Sequence, residues 1–237
     1  MYRPRVAVLS GDLLAQAPNP WFDPTYFEQD RQRVLDALQQ HVTITLAAVL
    51  LGIVISLPLA LLARRNLAVE TAVIGAAGIV YTIPSLALFG FLVPYTGFTE
   101  RTAILALGLY TLVVLVRNTV TGLAQVPPDV VEAAQGMGLS PTALLVKVEL
   151  PIALPSIMAG IRIATVSTIS LLTVAAYVGT GGFGQLIDEG FRGDYKAQVM
   201  TGVIGCVGLA LIADALLVLA QRLLTPWSRA GAARAAT

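Results

Sequence analysis

One cysteine and one histidine stand among the 237 residues, which leaves almost nothing for nucleophile or metal chemistry. Neither a Ser/His/Asp set nor a metal-ligand spacing can be assembled from such a supply, which weighs against an enzyme. Cys206 lies in an apolar stretch, has no partner for an internal disulfide, and reads as a small packing residue. His41 stands at the start of an apolar run and reads as an interfacial residue. Charge is equally scarce, at 12% of residues, against roughly 25% in an ordinary soluble domain. The net charge of +1 gives no reason to expect nucleic acid as a partner. No signal-peptide core opens the chain, because residues 1–40 carry charges and prolines where an apolar stretch would stand; the protein is expected to insert through its own spans.

What is present is apolar. Hydrophobic residues make up 56% of the chain, more surface than a core of this size can hide, so the solvent of the fold is lipid. A spanning helix needs about 20 mostly apolar residues. Five stretches qualify: 42–63, 71–93, 102–123, 152–178 and 199–220. The expected fold is therefore all-α and polytopic, with a transmembrane domain at 41–225 between an N-terminal segment (1–40) and a tail (226–237). Arg64 and Arg65 between the first two spans, with Arg222, Arg229 and Arg234 after the last, place those loops in the cytoplasm. The N-terminus and 179–197 then lie outside and 119–151 inside. Arg31, Arg33, Arg101, Arg192 and Lys196 on the outer side weaken this charge argument. Residues 26–40, after a loop punctuated by Pro18, Pro20 and Pro24, suit a helix with Phe27, Val34, Leu35 and Leu38 along one face. Two readings fit it, an interfacial helix lying on the outer surface or a solvated lead-in to the first span.

The stretch VPPDVVEAAQGMGLSPTALLVKVELPIALP at 126–155 carries the most local information. Pro127 and Pro128 stop the preceding span as regular helix. Asp129 followed by Glu132 matches a capping box that starts a short helix with small residues at Ala133 and Ala134. Gly138 is placed to close that helix with a left-handed cap. Ser140 and Pro141 restart a helix as N-cap and first residue, and Pro151 with Pro155 marks a break before the fourth span. The result is two short helices and a sharp elbow on the cytoplasmic side. Local reasoning leaves open whether this is a well-capped connector or a segment that inserts into another protein.

Glu132-Ala133-Ala134, then Gly138, then Leu150-Pro151 resembles the "EAA" loop of ABC-importer permeases, with both spacings of that pattern kept. The resemblance implies coupling helices, formed around Asp129, Glu132, Ala133, Ala134, Gly138, Ser140, Leu150 and Pro151, that dock into a cleft on a nucleotide-binding ATPase subunit. A narrower resemblance covers most of 41–225. YTIPSLA at 81–87, VRNTVTGL at 116–123 and ELPIALP at 149–155 with AGIR at 159–162 look like the osmoprotectant permeases, which import glycine betaine, choline, carnitine or related solutes. GTGGFG at 179–184 resembles a turn shared with methionine-type importers, so it does not separate the two subfamilies. The family implies a bacterial inner-membrane protein, a solute-binding protein and a second permease copy or homologue as partners. It also implies ATP and magnesium bound by the partner subunit, with no cofactor in this chain.

For the path itself, Pro84 removes a backbone donor mid-span and leaves the Val80 carbonyl without its helical partner, a break tolerated where it faces protein or water. Thr82, Pro84 and Ser85 are placed on the path on that ground, against the alternative of a packing kink. Asn118 and Thr121 are candidates for its cytoplasmic end, against the alternative that Arg117 and Asn118 only anchor the helix. The turn at 179–184 lacks the Lys-Ser/Thr of a phosphate loop and suits the outer mouth or a contact with the binding protein. With only 7% aromatic residues and no cluster in a span, selection of a quaternary ammonium falls mostly to the separate binding protein. An ion-coupled carrier is the other transporter class to consider. Asp214 is the one acid inside a span, Arg162 is the main other buried charge, and no internal repeat is visible, which suits half of a two-subunit channel better.

Overall fold

The computed structural model describes residues 19–227. Pro18, Arg229, Arg234 and all of the tail beyond residue 227 lie outside them. Every regular element among the described residues is a helix: α1 Pro24–Gln29, α2 Arg31–Ala63, α3 Leu67–Thr82, α4 Ser85–Thr96, α5 Glu100–Ala124, α6 Pro128–Gly136, α7 Pro141–Leu144, α8 Leu150–Leu172, α9 Phe183–Arg192 and α10 Lys196–Leu224. A π-helical turn, Leu145–Glu149, joins α7 to α8, and a 3₁₀ turn, Thr173–Val178, follows α8.

The core forms where small residues let helices meet. A Cβ at Gly52 of α2 would collide with the side chain of Thr111 on α5, and one at Gly108 would come within 2.9 Å of Leu51. Gly122 lies against Ala153 and Ser156 of α8, and Gly160 of α8 against Asn118 of α5. Such close approach drives helix association in lipid, where the hydrophobic effect between helices is absent. α5 is therefore the central helix, with α2 and α8 on either side, and Ile44, Phe89, Leu107 and Leu172 fill the space between them.

Two ends of the bundle can be told apart by their contacts. Gln40 donates to Glu100 at 3.0 Å and accepts from the backbone N–H of Gly182 at 2.9 Å, and Arg33 pairs with Glu189. At the opposite end Arg64 meets Glu149, and Gln221 donates to the carbonyl of Pro155 at 3.4 Å. The chain leaves α2 at the Arg64 end and enters α5 at the Glu100 end, so the α3–α4 pair crosses the bundle once. Together with α2, α5, α10 and the helical run through α8, each long and apolar enough to cross a membrane, it gives up to five candidate crossings among the described residues.

Four sequence expectations need correction. The second span is a helix pair bent by 92°, not a kinked rod. At the break the Val80 carbonyl lacks its helical donor, as expected, and accepts instead from the Ile83 N–H at 3.2 Å. The helix at 26–40 is interrupted at Asp30, and residues 31–40 are the N-terminal part of α2 rather than a separate surface helix. At 33 residues α2 is about 50 Å long and projects well past a 30 Å hydrocarbon layer. Its Val34 packs with Tyr26, Phe183 and Leu186. Pro151 and Pro155 do not set a break before the fourth span, because helix runs on from α7 through the π-turn into α8. Pro151 occupies the first turn of α8, and the π-turn before it shifts the ladder by one residue, Leu150 N–H reaching the Leu145 carbonyl. His41, expected at an interface, is fully buried.

Gly52→Val tests the α2–α5 contact. Overpacking of this kind costs about 1–3 kcal/mol, and a clear fall in the melting temperature of the detergent-purified chain is expected. An unchanged melt would refute the contact.

Candidate coupling elbow and translocation path

The elbow follows from its own backbone chemistry. α6 begins at Pro128 with Pro127 as its cap, so Asp129 lies in the first turn and the capping box with Glu132 does not form. A proline at the cap has no side-chain oxygen to offer, and Asp129 instead places a negative charge near the positive end of the helix. The C-terminal end is as expected. Gly138 adopts φ +82, the Leu139 N–H reaches the Ala134 carbonyl at 3.2 Å, and the Gly138 N–H reaches Gln135 at 2.8 Å, the bond pair of a Schellman closure. Ser140 then caps α7, its Oγ accepting from the Ala143 N–H at 3.3 Å.

Glu132 and Ala133 face outward, as do Asp129 and Met137, whereas Ala134 is 2% exposed and turns back onto this chain. The small-residue pair therefore divides its labour. Ala133 presents a low surface, and Ala134 is buried against this chain. Leu150 and Pro151 open α8, half-buried.

An anchor that sequence reading did not pair lies beside them. The guanidinium of Arg64 grips Glu149 with both nitrogens, at 2.7 and 2.6 Å. The Glu149 side chain is only 6% exposed, so this charge depends on its partner. The clamp ties the C-terminal end of α2 to the π-turn that leads out of the elbow. The signal was present in the sequence: Glu149 is an acid directly before an apolar span, and Arg64 is a base at the end of another.

The path residues fall at two levels. Thr82, Pro84 and Ser85 sit at the α3–α4 corner, where Thr82 and Pro84 are exposed and Ser85 half-buried. Thr82 Oγ1 donates to the Ile79 carbonyl at 2.7 Å, and the corner's Ile83 carbonyl accepts from Tyr110 Oη at 2.5 Å. Tyr110, missed in the sequence, holds the break in place from α5. Asn118 and Thr121 lie about 12–17 Å further along α5. Asn118 Nδ2 donates to the Val114 carbonyl at 2.9 Å and its side chain lies against Gly160, whereas Thr121 is exposed. The structure thus brings Asn118 to α8, not to the corner.

The glycine turn at 179–184 is held from inside. His41 Nε2 hydrogen-bonds the Ile169 carbonyl at 3.0 Å, and its Nδ1 accepts the Phe183 N–H at 3.3 Å, so one imidazole joins α2, α8 and α9. Gly182 has φ +52, and a Cβ there would strike both the Ala37 carbonyl and His41. This glycine serves close packing on α2.

A family model described as binding-protein-dependent transport system inner membrane component matches residues 48–230. The chain is 36% identical over 202 residues to the carnitine transport permease protein OpuCB of Listeria monocytogenes, covering 85% of this chain and 93% of that one. It is 38% identical over 210 residues to the osmoprotectant import permease protein OsmW of Salmonella typhimurium, covering 86% and 98%. Its fold is similar to a chain of the methionine ABC transporter MetNI in an inward-facing conformation, with TM-score 0.76 at 22% identity over 84% of this chain and 99% of that one.

Arg64→Ala leaves Glu149 buried and alone. Since Arg64 itself is partly exposed, the expected loss is about 1–3 kcal/mol, read as a lower melting temperature, and Arg64→Ala with Glu149→Leu recovers much of it. If the single variant melts with the wild type, the clamp is not what anchors the elbow.

Proposed function

The chain belongs to the binding-protein-dependent transport system inner membrane component family, and on that footing we propose that it carries quaternary-amine osmoprotectants of the glycine betaine, choline and carnitine class through the bacterial inner membrane. The observation that carries the solute class is the agreement of relatives 32–38% identical over most of the chain, several named for carnitine, choline or glycine betaine transport.

ATP, bound with its magnesium ion, is hydrolysed by a separate nucleotide-binding subunit. The exposed face of α6, with Asp129, Glu132 and Ala133, docks there, and Gly138 and Ser140 fix the angle at which it is presented. Closure of the ATPase pushes α6, and the motion passes through α7 and the π-turn into α8 at Leu150 and Pro151. What supports this reading is the outward face of α6, its closed C-terminal cap and the unbroken run from Ser140 into α8. Thr82, Pro84, Ser85 and Thr121 line a path shared with a second permease subunit, Asn118 backs it from between α5 and α8, and a solute-binding protein delivers the solute at the Gln40–Gly182 end. The path needs no aromatic cage if the binding protein does the selecting.

Gly138→Asp tests the coupling. A side chain at φ +82 costs about 1–2 kcal/mol locally, and the added charge alters the elbow without touching a span. The variant is expected to insert normally while ATP-driven uptake falls at least about tenfold, a loss of 1.4 kcal/mol or more in coupling. Normal uptake would defeat the proposed role. Uptake of methionine but of no quaternary amine by the wild-type importer would overturn the solute class.

A further inference from the structure

Arg162 of α8 and Asp214 of α10 lie deep in the membrane-spanning part of the chain. Arg162 is 12 residues past Leu150 and Asp214 is 10 residues before Leu224. At 1.5 Å per residue, both sit about 15–18 Å from the elbow end of their helices, near the middle of a hydrocarbon layer about 30 Å thick. They are paired: Arg162 Nε donates to Asp214 Oδ1 at 2.9 Å, and Nη2 donates to Oδ2 at 3.1 Å. The pair is not sealed, because the two side chains keep 32% and 38% of their exposure. They stand in a groove of 490 Å³ bordered by Ile163, Val166, Ser167 and Leu211.

The groove opens away from the core. Gly160 faces Asn118 of α5, and Arg162, two residues on, points about 200° around the helix from it. A half-open ion pair is a poor surface to offer lipid, since charges at this depth face protein or water and mark solute pathways. It is also a poor device for stability, because well-packed apolar side chains hold two helices at least as firmly. The volume lies in the range of small-molecule sites.

We infer that the Arg162–Asp214 pair is an intramembrane station for zwitterionic solutes. The solute's carboxylate takes the guanidinium fork of Arg162 while its quaternary ammonium takes the carboxylate of Asp214, and the two side chains re-pair once it leaves. One ion pair becomes two, so no net charge, proton or counterion is carried into the membrane. The assignment rests on the osmoprotectant reading above and deepens it. It also sets a preference: choline has no carboxylate, engages Asp214 alone and leaves Arg162 uncompensated.

The test uses the whole importer in membrane vesicles. Arg162→Gln and Arg162→Lys are expected to lower glycine betaine uptake at least about tenfold relative to choline uptake, the value of a lost charge-assisted bond pair, because choline makes no bond to Arg162 and Arg162→Gln removes the charge that choline leaves uncompensated. Equal losses for both solutes at normal membrane abundance would mean a structural clamp and overturn the station. Ser167→Cys in a Cys206→Ser background gives a second reading that does not depend on the charged variants folding. A hydrophilic, membrane-impermeant thiol reagent is expected to label it, and glycine betaine to slow the labelling. No labelling would place the groove against lipid or a protein interface and overturn the station whatever the solute. A wild-type importer that takes up neither glycine betaine, carnitine nor choline refutes the solute class itself, which the labelling result distinguishes from failure of the station.

Discussion

In lipid every backbone N–H and C=O must find its partner within the chain, and the shape of this molecule depends on how it meets that demand where the α-helix stops. At the α3–α4 corner the Val80 carbonyl accepts from Ile83 and the Ile83 carbonyl from Tyr110. Before Pro151 the ladder slips by one residue into a π-turn. At the elbow the freed carbonyls of α6 close on Gly138 and Leu139. At the glycine turn the N–H groups of Gly182 and Phe183 are taken by Gln40 and His41. Each departure from regular helix is held by named side chains, so each has one defined geometry.

The side chains that do this also connect helices distant in sequence. His41 and Gln40 fasten the outer turn to α2, and Arg64 fastens the same helix, at its other end, to the π-turn. α2 is thus a strut held at both ends, and the elements that meet its ends are those that bracket α8. A load applied at the elbow is resisted by the Arg64–Glu149 clamp, whose buried carboxylate makes release costly. The glycine turn is pinned by a neutral imidazole, and the Arg33–Glu189 pair at the same end is half-exposed, so release there strands no buried charge.

The spans were legible in the sequence because lipid solvation leaves a long, uninterrupted signal: 102–123 became α5 almost residue for residue, and 199–220 lies within α10. The elbow was legible for a different reason, since Gly138 and the Ser140-Pro141 pair have narrow backbone roles that the structure gives them. The errors share one cause. Proline forbids one hydrogen bond but does not say whether the chain will turn a corner, as at Pro84, or slide the ladder, as at Pro151; the outcome depends on what neighbouring helices offer. The same blindness hid the long-range pairs. Arg64, Glu149, Arg162 and Asp214 were all visible as charges near or in spans, but only packing shows which faces which. His41 looked interfacial because it sits early in the first apolar run, yet α2 extends ten residues further out and α9 folds over it.

The π-turn joins these observations into a mechanical argument. From Pro141 to Leu172 the helix is continuous apart from those five residues, so about 30 Å of near-rigid rod links the elbow to Arg162 at the membrane centre. A π-turn is the softest part of such a rod, because its ladder can return to α register by moving one residue. Glu149 lies in that turn, held by Arg64. The clamp therefore grips the rod at the one point where it can bend, and a push on the proposed coupling helix has two outcomes: α8 swings as a whole about the clamp, or the turn slides and rotates α8 about its axis. Rotation carries Arg162 relative to Asp214 on α10, which packs on α9 through Gly202 and Gly205 and is joined to α8 near Pro155 by Gln221. A connector of fully regular helix would transmit only the first motion. The retained irregularity beside two prolines is what allows the second.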